Sequence, residues 1–220
     1  MKKLIIVGAG TFGRELLAWS LDIQRAQAEW TVAGFLDANP SALDGYGWDY
    51  RILGDPKSYA PSPEDVFACA IGDPATRLRV CLSLKDRGAK FANLIHPTAI
   101  VGPKCRLGEG CILCPGSVLT TNVTLGDFVI LNVKATVGHD AVLGRVTTLN
   151  AHCDVTGRAR LGEGVYMGSH AAVLPGVVVG DYTVIGAGSV VIRNTQPHTT
   201  VLGVPARKVF STPRTAGEAV

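Results

Sequence analysis

Apolar positions repeat with a period of six over almost half of the chain. Residues 95–196 divide into seventeen consecutive six-residue blocks without an insertion, and each block begins with an aliphatic residue or Met. The fifth residue of every block is Ala, Cys, Ser, Thr or Val, and Gly recurs at the second position. A fixed short period of this kind is typical of a solenoid.

This period favours strands over helices. A helix cannot keep one face apolar at this spacing, because six residues turn about 600° around its axis. Short strands joined by tight turns can, and three blocks then close a triangular coil of 18 residues that stacks about 4.8 Å from the next. The first and fifth side chains point inward, and the recurring Gly is expected to give the corners backbone freedom. A sandwich would show turn signals about every 8 to 12 residues, so we predict a parallel β-helix.

The first 92 residues alternate strand and helix patterns instead. Buried strands are predicted at 4–7, 31–36 and 66–71 with a short one near 91–94, and helices after the glycine turn at 8–13 and from Pro74 to residue 87. This is a βαβ pattern with a parallel sheet. We therefore predict an α/β Rossmann-like half-domain over 1–92, a β-helix domain over 93–196, and a C-terminal loop and tail over 197–220.

The glycine turn has a clear chemical use. Gly8 and Gly10 let the backbone approach a phosphate at a helix N-terminus, and Gly13 lets the helix pack on the strand. Asp37, at the end of the second strand, stands where an acid can bind a ribose hydroxyl. Because the segment is about half of a dinucleotide fold, a mononucleotide or nucleotide sugar fits better than NAD. A purely structural strand-to-helix turn is the alternative.

Composition and charge limit the classes of partner that the protein is expected to bind. The net charge of +3 comes without a clustered Lys/Arg run, so we expect no nucleic-acid partner. The apolar run at 4–7 is too short for a signal peptide, and no stretch approaches the length of a membrane span. We expect a cytoplasmic protein that does not contact membranes. Cys105, Cys111 and Cys153 fall on the inward fifth position and are predicted to be core residues without disulfides.

Four motifs in a fixed order carry a family resemblance. They are Gly-x-Gly-x-x-Gly at 8–13, Ile-Gly-Asp at 71–73, Ile-His-Pro at 95–97 and Gly-Val-Pro-Ala at 203–206. Together with the hexapeptide repeats they resemble bacterial sugar acyltransferases, a group that includes UDP-4-amino-sugar and GDP-perosamine N-acetyltransferases and sialic acid O-acetyltransferases. The resemblance implies a left-handed β-helix, a homotrimer, acetyl-CoA as co-substrate between subunits and a nucleotide-sugar substrate. No metal is expected, because the acyl transfer it implies demands no cation.

The resemblance also assigns the reacting groups. His139 and Asp140 occupy the third and fourth positions of their block, on a corner that points away from the coil interior. In the family a His followed by an acid lies at the matching place, so His139 is expected to act as general base and Asp140 to orient it. Asp in place of the Glu of some members shortens that reach by one methylene. A solvated turn histidine is the alternative.

Further residues are implied for the two substrates. For acetyl-CoA, the resemblance places the Gly157 amide at the thioester carbonyl, Ser169 and Ala187 along the pantetheine, and Arg207 and Lys208 near the phosphates, although solvated tail charges explain the last two equally well. The residues expected at the nucleotide sugar are Gly8, Gly10, Thr11, Phe12, Gly13, Arg14, Asp37, Gly72 and Asp73. Phe12 departs from the Gly-His-Gly of several family members and cannot supply the polar contact of that His, for which Arg14 can compensate through a phosphate.

We therefore predict N-acetylation of a nucleotide-linked 4-amino-4,6-dideoxy sugar. The alternatives are O-acetylation of sialic acid or another sugar, a γ-type carbonic anhydrase and a non-catalytic binding protein. A γ-type carbonic anhydrase requires a closely spaced pair of zinc-binding histidines, and the sequence has no His-x4-His. His152 and His170 are one coil apart and expected to stack on one corner, either as a metal pair or, as we favour, as turn residues.

Overall fold

Residues 1–27 and 29–211 are described by the computed structural model of the chain. They form two compact units, of which the first is Met1–Pro97 and the second begins at Thr98. No helix among these residues has the length and apolar character needed to cross a membrane.

The first unit is a parallel sheet with two helices. Its strands pair in the order β3-β2-β1-β4. The elements are β1 (Lys2–Val7), α1 (Thr11–Gln27), β2 (Trp30–Leu36), β3 (Ile52–Gly54), β4 (Asp65–Cys69), α2 (Pro74–Lys85) and β5 (Leu94–Ile95). The predicted α/β half-domain fold is confirmed, with its core on β1, whose last four residues are buried.

Besides shifts of a few residues at the strand ends, two details of this unit differ from the predictions. β3 was missed because a three-residue strand bounded by Gly is too short to show a period. α2 ends two residues earlier than predicted, because the N–H groups of Arg87 and Gly88 bond to carbonyls only three residues back and Gly88 is left-handed at φ +91°.

The second unit is a parallel β-helix of two-residue strands. Its strands are β6 (Ile100–Val101), β7 (Arg106–Leu107), β8 (Ile112–Leu113), β9 (Val118–Leu119), β10 (Thr124–Leu125), β11 (Ile130–Leu131), β12 (Thr136–Val137), β13 (Val142–Leu143), β14 (Thr148–Leu149), β15 (Asp154–Val155), β16 (Arg160–Leu161), β17 (Tyr166–Met167), β18 (Ala172–Val173), β19 (Val178–Val179), β20 (Val184–Ile185) and β21 (Val190–Val191). Every third strand shares a sheet, so that β6, β9, β12, β15, β18 and β21 form one face.

The register confirms the 18-residue coil. Thr136 pairs with Asp154, and Val137 pairs with Val155. First-position side chains are buried from Leu113 to the last strand of the repeats, and fifth-position side chains are buried from Cys111 onward to Ser189.

The recurring second-position glycines have a different role from the one expected. None of them has a positive φ; the left-handed residues are at the fourth position of the blocks. A Cβ on Gly126 would lie 2.5 Å from the backbone nitrogen of Arg145 in the next coil, and one on Gly138 would lie 2.7 Å from the nitrogen of Gly157. These glycines are required because successive coils approach closely, not because the corners need unusual dihedral angles.

The segment predicted as a C-terminal loop is largely a β-hairpin. β22 (Thr199–Gly203) continues one sheet of the β-helix beside β20, and β23 (Ala206–Ser211) pairs with it antiparallel. The Gly-Val-Pro-Ala motif is the turn between them. Because Gly and Pro are typical of loops, the two strands beside the motif were not predicted from the sequence. The predicted tail at 212–220 lies outside the described residues.

Candidate active site

His139 and Asp140 form a hydrogen-bonded pair on a corner of the β-helix. Both lie in the turn between β12 and β13, with Asp140 in the left-handed region at φ +60°. His139 Nδ1 lies 2.8 Å from Asp140 Oδ2, and the side chains are about half exposed, at 52% and 47%. When Nδ1–H donates to the carboxylate, Nε2 carries the free lone pair. The pair therefore has the arrangement of a general base with its orienting acid.

Asp140 is held by two further contacts from the coil below. Its backbone N–H donates to the carbonyl of Thr121 at 3.1 Å, and Asn122 Nδ2 donates to its other carboxylate oxygen at 3.1 Å. The hydrogen bond with His139, followed by that from Asn122, lowers the pKa of Asp140 below its ordinary value, and Arg158 acts in the same direction. Asp140 is therefore charged at neutral pH.

Gly157 lies one coil further along, directly over the imidazole. A Cβ on Gly157 would lie 2.7 Å from His139 Cε1 and closer still to Nε2. Its N–H donates to no acceptor among the described residues, and the next amide, of Arg158, donates to the carbonyl of His139 at 2.8 Å. A free N–H beside an imidazole is a suitable donor for an oxyanion.

The other residues expected at acetyl-CoA lie elsewhere on the chain. Ser169 and Ala187 are exposed turn residues that follow β17 and β20, on a different corner from His139. Arg207 and Lys208 are exposed on β23, where the Arg207 side chain donates to the carbonyl of Ala206. A single chain therefore brings His139, Asp140 and Gly157 together but not these four.

His152 and His170 stack as expected on one corner. Their ring centroids are 4.8 Å apart and the ring planes differ by 2°. Parallel rings do not direct their nitrogen lone pairs at a common point. Across residues 1–27 and 29–211, no group of three or more His, Cys, Asp or Glu is placed to hold a metal ion.

The glycine turn of the first unit is closed by Asp37. Gly8 has φ +97°, and a Cβ on Gly13 would lie 3.0 Å from the carbonyl carbon of Gly8, so both must be glycine. The N–H of Ala9 donates to Asp37 Oδ2 at 2.8 Å, and Asn39 donates to Oδ1 at 2.9 Å. Asp37 thus stabilises the turn while each of its oxygens keeps capacity for a ligand.

A cavity of about 430 Å³ opens beside this turn. Six of its lining residues are Gly8, Leu36, Asp37, Pro56, Lys57 and Arg79. The volume suits a small organic ligand, and the mixture of apolar walls with a few charged groups is usual for such sites.

The remaining candidates surround the turn without lining the cavity. Thr11 begins α1, Phe12 packs edge-on against Trp19, and the Arg14 guanidinium lies 3.7 Å from the centre of the Tyr46 ring. A Cβ added at Gly10 or Gly72 would meet no heavy atom within 4 Å. Asp73 caps α2 by accepting from the N–H of Thr76 at 2.8 Å.

Arg77 is a residue that the sequence reasoning missed. It is fully buried and donates through Nη1 to the carbonyls of Ile71 and Gly72, at 2.8 and 3.2 Å. Burial lowers its pKa, which the neighbouring Cys69 and Cys81 partly offset. Arg77 shares a helical face with Cys81 and Leu84, and that spacing is the signal in the sequence for a buried arginine.

Two family profiles match the chain. The PglD N-terminal domain matches residues 3–84, and the bacterial transferase hexapeptide (six repeats) matches residues 158–193.

Two curated relatives share part of their length with the chain. The GDP-perosamine N-acetyltransferase of Escherichia coli O157:H7 is 31% identical over 81 residues, which cover 37% of this chain and 37% of that protein. The UDP-N-acetylbacillosamine N-acetyltransferase of Bacillus subtilis (strain 168) is 29% identical over 117 residues, or 51% of each. The chain thus spans between about a third and a half of these two relatives.

A solved structure matches over nearly the full length of the chain. PerB from Caulobacter crescentus, in complex with CoA and GDP-perosamine, is 31% identical with a TM-score of 0.85, covering 96% of this chain and 98% of that chain. The fold and this match define an acyltransferase of the hexapeptide-repeat class. The chain belongs to the left-handed β-helix family of bacterial sugar acyltransferases that carry a PglD-type N-terminal domain.

Proposed function

We propose that the chain transfers the acetyl group of acetyl-CoA to the amino group of a nucleotide-linked 4-amino-4,6-dideoxy sugar. The observation that carries this proposal is the His139–Asp140 pair with the free amide of Gly157 one coil away. PerB binds CoA and GDP-perosamine, and both curated relatives are N-acetyltransferases.

The pair provides the chemistry of acyl transfer. The neutral amine attacks the thioester carbonyl, and His139 Nε2 takes the proton that the nitrogen loses as the C–N bond forms. The Gly157 N–H stabilises the oxyanion of the tetrahedral intermediate. The C–S bond then breaks, and the proton on the imidazolium goes to the departing CoA thiolate. Asp140 stabilises the imidazolium through Nδ1.

The nucleotide is assigned to the cavity of the first unit. Gly8 and Asp37 border it, and Lys57 and Arg79 supply cations for a diphosphate. Asp37 is the group with capacity for a ribose hydroxyl. The cavity belongs to one compact unit and does not depend on any arrangement of the two units.

A homotrimer is part of the proposal. Ser169 and Ala187 lie on a different corner from His139, so they can meet the same acetyl-CoA as His139 only if they come from a neighbouring subunit. We therefore assign the pantetheine to a cleft between subunits, with Arg207 and Lys208 available to the CoA phosphates. Sedimentation velocity would show a single species of three chains.

The experiment that tests the reaction follows CoA release as free thiol. Acetyl-CoA is supplied with UDP-, GDP- and dTDP-linked 4-amino sugars and with free sialic acid. Turnover is expected on an amino sugar, and His139→Ala should lower it about 10²-fold or more. His198→Asn, on another corner at φ +55°, is the matched control and keeps activity. Turnover on sialic acid alone would show that the reaction is O-acetylation and not the proposed N-acetylation. A fully active, folded His139→Ala variant would exclude His139 as the base.

A further inference from the structure

Three side chains stack on the corner that carries the candidate acid. The fourth position of successive coils holds Asn122, Asp140 and Arg158, and all three have left-handed φ angles of 57–60°. Each is 18 residues from the next, so each lies one coil from its neighbour. Asn122 and Arg158 therefore flank Asp140 on its two sides along the axis of the β-helix.

The two neighbours of Asp140 act on it differently. Asn122 Nδ2 donates to Oδ1 at 3.1 Å, whereas His139 Nδ1 lies 2.8 Å from Oδ2. Arg158 contributes by charge alone, since no hydrogen bond joins it to Asp140 among the described residues. The hydrogen bond from Asn122 prevents the carboxylate from rotating and commits the second oxygen to the imidazole.

We propose that Asn122 is a positioning residue for acyl transfer, acting through Asp140 to fix the orientation and basicity of His139. This inference rests on the proposed role of His139. The Asn122 amide donates to one oxygen and so disperses the carboxylate charge without neutralising it. Asp140 therefore remains an acceptor for His139 Nδ1 throughout each catalytic cycle. Asn also adopts the left-handed backbone found there more readily than most other side chains.

The left-handed backbone provides a clean variant. Asn122→Gly removes the amide without strain, whereas Ala would add strain at φ +57°. We expect a fall in kcat/KM of roughly three- to tenfold, the size of one net hydrogen bond. Asn122→Asp replaces the donor by a second carboxylate below Asp140, and the fall should be larger.

The pH profile separates positioning from structure. The titratable or charged groups that face Asp140 are His139 and Arg158. A carboxylate at position 122 adds negative charge that favours the imidazolium, so the acid limb of kcat/KM should move to higher pH in Asn122→Asp. The same shift, smaller, is expected in Asn122→Gly, where the charge of Asp140 is less dispersed.

Lys104→Gly is the matched control. Lys104 has φ +60° on the same corner, two coils from Asp140, so this variant makes the same backbone change without touching the carboxylate. The charge of Lys104 lies about one Debye length from Asp140 in physiological salt, so its effect on the carboxylate is largely screened. Its kcat/KM and its acid limb should match those of the unmodified protein.

The outcome distinguishes this inference from the proposed function. Unchanged kcat/KM and pH profile in a folded Asn122→Gly variant would overturn the inference, and so would a loss of activity that follows a lower Tm without a shift of the acid limb. An NMR titration of the His139 Cε1–H does not need turnover and should show the same shift. If His139→Ala were fully active while the titration still shifted, the proposed base would fail and the Asn122–Asp140–His139 coupling would stand.

Discussion

The imidazole of His139 lies against the Cα of Gly157, one coil further along the β-helix. A side chain at position 157 would occupy the volume of the ring. The equivalent turn position elsewhere holds Ala151, Ser169 and Ala187, and Gly157 itself has no positive φ. The backbone therefore accepts a Cβ at this position, and glycine is required here because the histidine lies over it.

The first prediction follows from this packing. Gly157→Ala should displace the imidazole, and with His139 as the proposed base kcat should fall about 10²-fold, since a base moved by about 1 Å loses its alignment. Because the half-exposed imidazole can rotate away from the added methyl group, the fold should lose at most about 1 kcal/mol.

A double-mutant cycle provides the control. In a His139→Ala background the ring is absent, and Gly157→Ala should then cost almost no stability in urea unfolding. An equal cost in both backgrounds would show that the strain has another source.

The second prediction concerns the glycine turn of the first unit. Gly13→Ala should lower the free energy of unfolding by about 2 kcal/mol, because its Cβ would overlap the carbonyl of Gly8. Gly10→Ala is the matched variant in the same turn, where no heavy atom lies within 4 Å, and its loss should stay below about 1 kcal/mol. Thermal unfolding followed by circular dichroism measures both, and equal losses would contradict the packing argument.

The third prediction concerns Arg77. Arg77→Ala leaves the carbonyls of Ile71 and Gly72 without their buried donor, and we expect a loss of about 3 kcal/mol or more. Arg87→Ala is a useful comparison, because Arg87 also donates to backbone carbonyls, in Ser83, Pro56, Lys57 and Tyr59, but its own side chain is partly exposed, whereas that of Arg77 is fully buried. Urea unfolding should rank Arg77→Ala as clearly the less stable, and the reverse order would refute the assignment.

The fourth prediction uses the cysteines. Burial raises the pKa of Cys111 to about 12 and that of Cys153 to about 11. The thiolate is the reactive form, so both thiols stay unreactive at neutral pH and begin to react only as the pH approaches those values.

Alkylation with iodoacetamide at pH 8, followed by mass spectrometry, checks this. Cys105 alone is partly exposed and should be labelled in the native protein, whereas the five buried cysteines should not. The Cys105→Ser variant should lose native-state labelling, and all cysteines should react in denaturant. Modification of Cys111 or Cys153 before unfolding would contradict their burial.

The six-residue pattern was enough to predict the coil and which residues meet across it. Because the register is fixed at 18 residues, the sequence alone placed Gly157 one coil from His139. The acid–base pair itself followed from the family resemblance, and its catalytic role stays a prediction. The period could not show why Gly126 and Gly138 are glycine, since the cause is the distance between coils rather than a dihedral angle.

Other contacts have no periodic signal at all. β3 is three residues long, and the two strands of the C-terminal hairpin follow the end of the repeats. The contact of Asn122 with Asp140 depends on side-chain direction at the fourth position, which the apolar pattern does not report. Arg77 was missed because a charged residue is assigned to the surface unless its helical face is considered.

The uninterrupted repeat has a consequence for how this protein can change in length. Removal of one residue from the β-helix would turn every later inward side chain outward. Removal of six would restore the inside and outside but would transfer every later residue to the next face, so that a different residue would come to lie over His139. Only whole coils of 18 residues can be lost or gained between His139 and the hairpin while all corners stay aligned. The length of this β-helix can therefore change in evolution only in steps of one coil.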